Sequence, residues 1–158
     1  MLRRTAILLT TATFATSFAN PPADLPQKHM LNLAAVKIMV AAAEAEALKR
    51  NVQVTICIVD DNSNILFMQK ADGAGMNTIQ FAQRKARHSA TYGQPSKVAA
   101  DRLKEGNLGI LAQPDAFPNQ GGLPIRFNGK VIGAIGVSGA PSEVDEAIGQ
   151  VAIDALLK

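Results

Sequence analysis

Between residues 125 and 137 the chain reads Ile-Arg-Phe, then Asn-Gly, then Lys-Val-Ile-Gly-Ala-Ile-Gly-Val, and the Asn128-Gly129 pair does most to limit what this sequence can fold into. A two-residue hairpin turn of type I′ needs positive φ at both central positions, which Asn and Gly tolerate, so β-forming runs on either side of the pair predict an antiparallel hairpin. A second hairpin is expected upstream. Residues 52–59, Val-Gln-Val-Thr-Ile-Cys-Ile-Val, place Val52, Val54, Ile56 and Ile58 on one face of a strand and Gln53, Thr55, Cys57 and Val59 on the other. Asp60, Asp61, Asn62, Ser63 and Asn64 then supply side chains that bond to their own backbone, and a strand resumes over 65–69. In such a loop Asp60 and Asp61 read as turn formers rather than as a catalytic carboxylate pair. Gly133 and Gly136 are costly inside a strand and predict close approach by a backbone, a helix or a ligand.

Helical segments surround the hairpins. Asn32 is placed to cap a helix over 32–50, whose expected buried stripe is Leu31, Ala35, Ile38, Ala42, Ala45 and Leu48, widened by Leu33, Val36 and Val40. A glycine-rich loop at 71–75 leads to a second helix over 77–92, stopped by Gly93 and Pro95. Ser96 is expected to cap a shorter helix ending near Gly106, and residues 109–111 read as a short strand. The prolines and glycines of 113–124 predict a loop with a constrained path. Ser142 is expected to cap a final helix, with Glu143, Asp145 and Glu146 favoured at its positive end. Helix, hairpin, helices, hairpin, helix is an α+β order with a mainly antiparallel sheet, and the parallel alternation of a dinucleotide-binding fold is absent.

Composition removes several function classes. Of 158 residues, one is cysteine, one tyrosine and none tryptophan, so an intramolecular disulfide is impossible and an aromatic platform for nucleic-acid bases is lacking. The formal charge of +3 also contains a passenger. Arg3 and Arg4, the apolar stretch 6–18 and the small residues Ser17 and Ala19 read as an export leader cleaved after Ala19, the alternative being a frayed N-terminal helix. Without Arg3 and Arg4 the 16 basic side chains become 14 against 13 acidic ones, so the apparent basicity belongs mostly to targeting. No later segment is long and apolar enough to span a membrane. The expected product is a single domain over 20–158, periplasmic or secreted, with no nucleic-acid partner.

Few residues can carry chemistry. His29, His88 and Cys57 are too few nitrogen and sulfur ligands for a structural zinc site, whereas a haem iron needs only one or two axial ligands. His29, in the arm before the first helix, reads either as solvated or as an iron ligand. His88 shares its helix with Arg84, Lys85 and Arg87, which reads either as a solvated basic face or as an iron ligand flanked by groups for carboxylates. Cys57 alternates with apolar neighbours and reads as a buried, inert thiol. The loops containing Gly121, Gly122 and Pro124, and Ser138 and Gly139, are either plain turns or cradles whose backbone amides hold an anion.

The ordered set Val59-Asp60, Asn62 to Leu66, Asp72-Gly73-Ala74, Ala82 with Lys85-Ala86 and Ala90, Gly121-Gly122-Leu123-Pro124-Ile125, and Ile132-Gly133-Ala134-Ile135-Gly136-Val137-Ser138-Gly139 resembles the GlcG/HbpS family of haem-binding or haem-degrading proteins, also related to the C-terminal domain of PduO. The chain departs from that pattern at Lys70-Ala71, Asn62, Ser63 and Ala140. The resemblance implies a profilin-like domain with a central antiparallel sheet flanked by helices, assembly into homo-oligomers, and haem or another tetrapyrrole as cofactor. Its leading expectation is an exported haem-binding protein with His29 or His88 on the iron and Arg84, Lys85 or Arg87 near the propionates. The alternative is an enzyme or binder of a small hydroxy or keto acid, built from the glycine loops and Lys85.

Overall fold

The computed structural model describes residues 26–158; the leader expected over 1–19 lies outside them. Four strands, β1 (Thr55–Asp60), β2 (Ile65–Lys70), β3 (Gly122–Phe127) and β4 (Lys130–Ser138), form one antiparallel sheet in the order β2-β1-β4-β3. Both expected hairpins are present, and β1 and β4 meet at the centre in unbroken register from Thr55 opposite Ser138 to Asp60 opposite Gly133. Asn128 and Gly129 take φ of 49° and 75°, as a primed turn requires. In the other hairpin the Asp60 carboxylate accepts from the Asn62 and Asn64 amides at 2.9 and 2.8 Å, which confirms its turn-forming role.

Helices cover both faces. On one side α1 (Leu33–Lys49) packs with α4 (Ser142–Leu157) over Val54, Ile56, Ile58, Ile125, Ile135 and Val137. On the other side α2 (Thr78–Tyr92) lies against Cys57, Val59 and Ala134 through Ala82, Ala86 and Ala90. The two-faced burial explains why β1 and β4 carry apolar residues on both faces. Cys57 is buried, and burial pushes its thiol up to about 12.

The glycines of β3 and β4 let α2 settle directly onto the sheet. A Cβ at Gly136 would stand 2.0 Å from the Ala82 carbonyl oxygen, and one at Gly122 would stand 2.2 Å from the Lys85 carbonyl oxygen. It is therefore a helix backbone that demands these glycines.

Four local expectations need correction. The buried side of α1 is Val36, Met39, Val40, Ala43 and Ala47, whereas Leu33, Ile38, Ala45 and Leu48 face outward. This helix is apolar nearly all round, so periodicity does not distinguish its core face. Residues 108–112 form a 3-10 turn rather than a strand. The helix cap expected at Ser96 is absent: α3 (Ser96–Lys104) starts there, and the Ser96 hydroxyl instead accepts from the Gly122 amide at 2.9 Å and donates to the Asn119 carbonyl at 2.7 Å. Likewise Ser142 opens α4 without capping it, because Pro141 occupies the cap position. Asn32 does cap α1, accepting from Ala35 N at 2.8 Å.

Candidate functional site

Lys85 sits on the face of α2 that carries Ala82 and Ala86, and the small neighbours draw its backbone down to the sheet. Its long side chain must then end inside the protein. The Lys85 ammonium is 2% exposed, and it donates to the Val137 carbonyl at 2.9 Å and to Asp145 Oδ2 at 2.8 Å. Asp145, in the first turn of α4 and 1% exposed, accepts the Ala140 amide on its other oxygen at 2.9 Å. Burial pushes the Asp145 carboxyl above the usual carboxylate range, against the opposing pull of the Lys85 hydrogen bond and charge and of the Ala140 and Gly139 amides. The pair joins α2, β4 and α4 at one point. Gly121, with φ of +118°, closes over it so tightly that a Cβ there would lie 2.8 Å from the Lys85 nitrogen.

This pair forms part of the wall of an open polar cleft of about 340 Å3, together with Thr78 and Phe81 from the start of α2, Asn119, and the turn carrying Ser138 and Ser142. The Thr78 hydroxyl is committed to the Gly75 carbonyl and the Thr55 hydroxyl, at 2.6 and 2.7 Å. Lys85, Ser138 and Gly139 are therefore brought to one place, with Gly121 behind Lys85. Gly122 and Pro124 are not in the cleft: Gly122 seats α2, and Pro124 pairs with Ala134 in the edge strand.

Sequence reasoning saw Asp145 only as a helix-dipole charge. The signal was available, because Asp145 falls in step with Ile148, Gly149, Ala152 and Ile153, the buried stripe of α4. An acid on a core stripe implies a buried partner.

The other candidates separate. Arg84 lies over the Phe117 ring at 4.3 Å, and Arg87 pairs with Asp115 at 3.1 Å across a groove on the far side of α2. His88 is 1% exposed, tilted against Tyr92, with Nδ1 accepting the Phe117 amide at 3.1 Å and Nε2 buried and, among the described residues, without a partner. Burial outweighs a hydrogen bond to the Asp115 backbone, which favours the protonated ring, and holds the imidazole below the ordinary histidine range. The solvated basic face expected around His88 is thus not formed, since His88 and Lys85 both point inward. His29 is exposed and meets Phe127 edge-on at 4.8 Å, at the junction of two depressions of about 370 and 320 Å3. Neither depression is lined by Arg84, Lys85 or Arg87.

Residues 31–154 match the family model described as haem degrading protein HbpS-like. The chain belongs to the HbpS-like family. Within reach of this HbpS-like domain, a 15.0 kDa protein from the dhaT-dhaS intergenic region of Citrobacter freundii is 37% identical over 128 residues, covering 78% of this chain and 90% of that one. The crystal structure of a Streptomyces reticuli HbpS double mutant superposes with a TM-score of 0.78 at 30% identity, over 91% of this chain and 99% of that one. A PduOC:heme complex shares the fold, with a TM-score of 0.74 at 24% identity over 80% of this chain and 95% of that one. These likenesses bear out the α+β architecture and the family read from the sequence. Among the described residues no helix is long and apolar enough to cross a membrane.

Proposed function

We propose that this HbpS-like protein binds haem at its N-terminal arm, with His29 as the iron ligand, as an exported homo-oligomer. The observation that carries this reading is the setting of His29, an exposed imidazole on an apolar shelf made by Leu31, Phe127, Ile132, Leu156 and Leu157. A haem needs a reachable nitrogen, a flat apolar surface for the macrocycle and cations for its propionates. Lys130 and Lys158 stand at the rims of the two depressions, and Lys28 is held by Asp61 at 2.6 Å. His88 does not fit the same task, since its Nδ1 is engaged and the ring is enclosed. When bound, haem supplies an iron centre for ligand and redox chemistry; the chain supplies the imidazole, the shelf and the charges around it.

Support for oligomers comes from α1, which leaves Leu33, Ile38 and Leu48 exposed at 62%, 50% and 79%, an outward apolar face suited to a second copy. Export through a leader ending at Ala19 accounts for the arginine pair at the start of the chain. N-terminal sequencing of the protein recovered from an exporting host is expected to begin at Asn20.

Hemin titration followed through the Soret band tests the haem reading. Wild-type protein should give a bound spectrum distinct from free hemin, and His29→Ala should abolish that spectrum while leaving the fold intact by circular dichroism. An unchanged spectrum in His29→Ala would overturn the assignment of the ligand, and a wild-type spectrum identical to free hemin would overturn haem binding itself.

A further inference from the structure

We propose that the cleft over the Lys85–Asp145 pair is a second ligand site, separate from the His29 shelf, which takes a small organic monocarboxylate carrying a hydroxyl or oxo group.

Polar groups held inside a wall at a cost in desolvation define the cleft. Lys85 and Asp145 are 2% and 1% exposed, and burying an ion pair gives little or no net stability relative to apolar side chains of similar size. An ammonium has three donors, and Val137 and Asp145 accept only two, so Lys85 retains one N–H at the edge of the cleft that it lines. Ser138, only 4% exposed, faces the same space beside Thr78, and its hydroxyl makes no hydrogen bond among the described residues. Ser138 is thus a nearly enclosed residue of the cleft wall whose hydroxyl is left to a ligand.

Charge selects the ligand. Both α2 and α4 begin at this cleft, at Thr78 and Ser142, and neither has a side-chain cap. The first turn of α2 carries no acid, so its positive end acts on the cleft without local compensation, whereas Glu143 and Asp145 offset that of α4. Asp145 is the one acid in the lining, and its two oxygens are already taken by Lys85 and the Ala140 amide. The balance favours an anion. The hydroxyl of Ser138 and the side-chain amide of Asn119 each offer a donor and an acceptor, which suits a neighbouring hydroxyl or oxo group on the ligand. The cleft, of about 340 Å3, has ample room for such an acid.

The test is calorimetric and thermal-shift titration of the purified protein with glycolate, lactate and pyruvate, against ethylene glycol and propane-1,2-diol as uncharged counterparts and sodium chloride at matched ionic strength. Saturable stabilisation by the carboxylates alone is expected. Ser138→Ala should weaken carboxylate affinity by about fivefold, the loss of roughly one ordinary hydrogen bond to the ligand's hydroxyl or oxo group, while its unliganded melting temperature and hemin titration stay those of wild type. His29→Ala should bind carboxylates as wild type does, which keeps this site distinct from the haem reading. Equal response to the diols, no response beyond the chloride control, or unchanged affinity in Ser138→Ala would each overturn the proposal.

Discussion

At the scale of single residues, the buried groups of α2 set the acid behaviour of the protein. His88 is neutral in its enclosed site and accepts the Phe117 amide, and its proton affinity there is below that of an exposed histidine. Between the folded and unfolded values the unfolded chain binds more protons, so His88 contributes stability that is present above about pH 6.5 and is lost as pH falls toward the lower folded value. The slope in that window should reach at most about 1.4 kcal/mol per pH unit, and urea titrations of wild type and His88→Asn from pH 7.5 to 5 should show it flattened in the variant. The Lys85–Asp145 pair predicts a different signature. Lys85→Met alone leaves a carboxylate buried at 1% exposure and should cost about 3–5 kcal/mol, whereas Lys85→Met with Asp145→Leu should recover much of that loss. A double-mutant cycle by chemical denaturation measures it. At this scale the sequence was only half legible. Lys85 stood out among the glycine loops, but its burial follows from how closely α2 approaches Gly122 and Gly136, a distance that one-dimensional periodicity does not contain.

Among the elements, the hairpins were the most legible and α1 the least. Asn128-Gly129 and the Asp60 turn specify their hairpins through local backbone chemistry, which acts within a few residues and can be read directly. An apolar helix such as α1 has no polar stripe to mark its outside, so its core face depends on where α4 lies. The seat of α2 yields the strongest mutational prediction. Gly136→Ala drives a methyl to within 2.0 Å of a helix carbonyl and should destabilise by at least about 3 kcal/mol. Gly106→Ala, at φ +91° but with no atom within 4 Å of the added carbon, carries only backbone strain and should cost about 1 kcal/mol. Melting curves of the two variants separate packing from strain. On the opposite layer, Ile38→Glu should lower the assembled mass seen by sedimentation without lowering helix content, if α1 joins copies of the chain as proposed.

For the molecule as a whole, the two proposed ligand regions share no lining residue, and the described chain between them is a single sheet with a helical layer on each face. Stabilisation by hemin and by glycolate should therefore add, and a melting shift with both ligands that departs strongly from the sum of the two would reveal coupling through the sheet. The α+β class and the family were legible because they rest on the order of turn signals and glycine motifs along the chain. The separation of His29 from Arg84, Lys85 and Arg87 was not, because it depends on which way α2 turns its faces.

The outer strand β3 has a wider consequence. Pro124 offers no amide hydrogen, and the ladder to β4 slips between Ile125 and Arg126, so this border presents a broken row of donors to any passing strand. A polypeptide with both sheet faces roofed by helices and one rim interrupted in this way resists runaway strand-by-strand growth there. Copies approaching that rim would meet through side chains, which would leave such a contact reversible and adjustable by single substitutions.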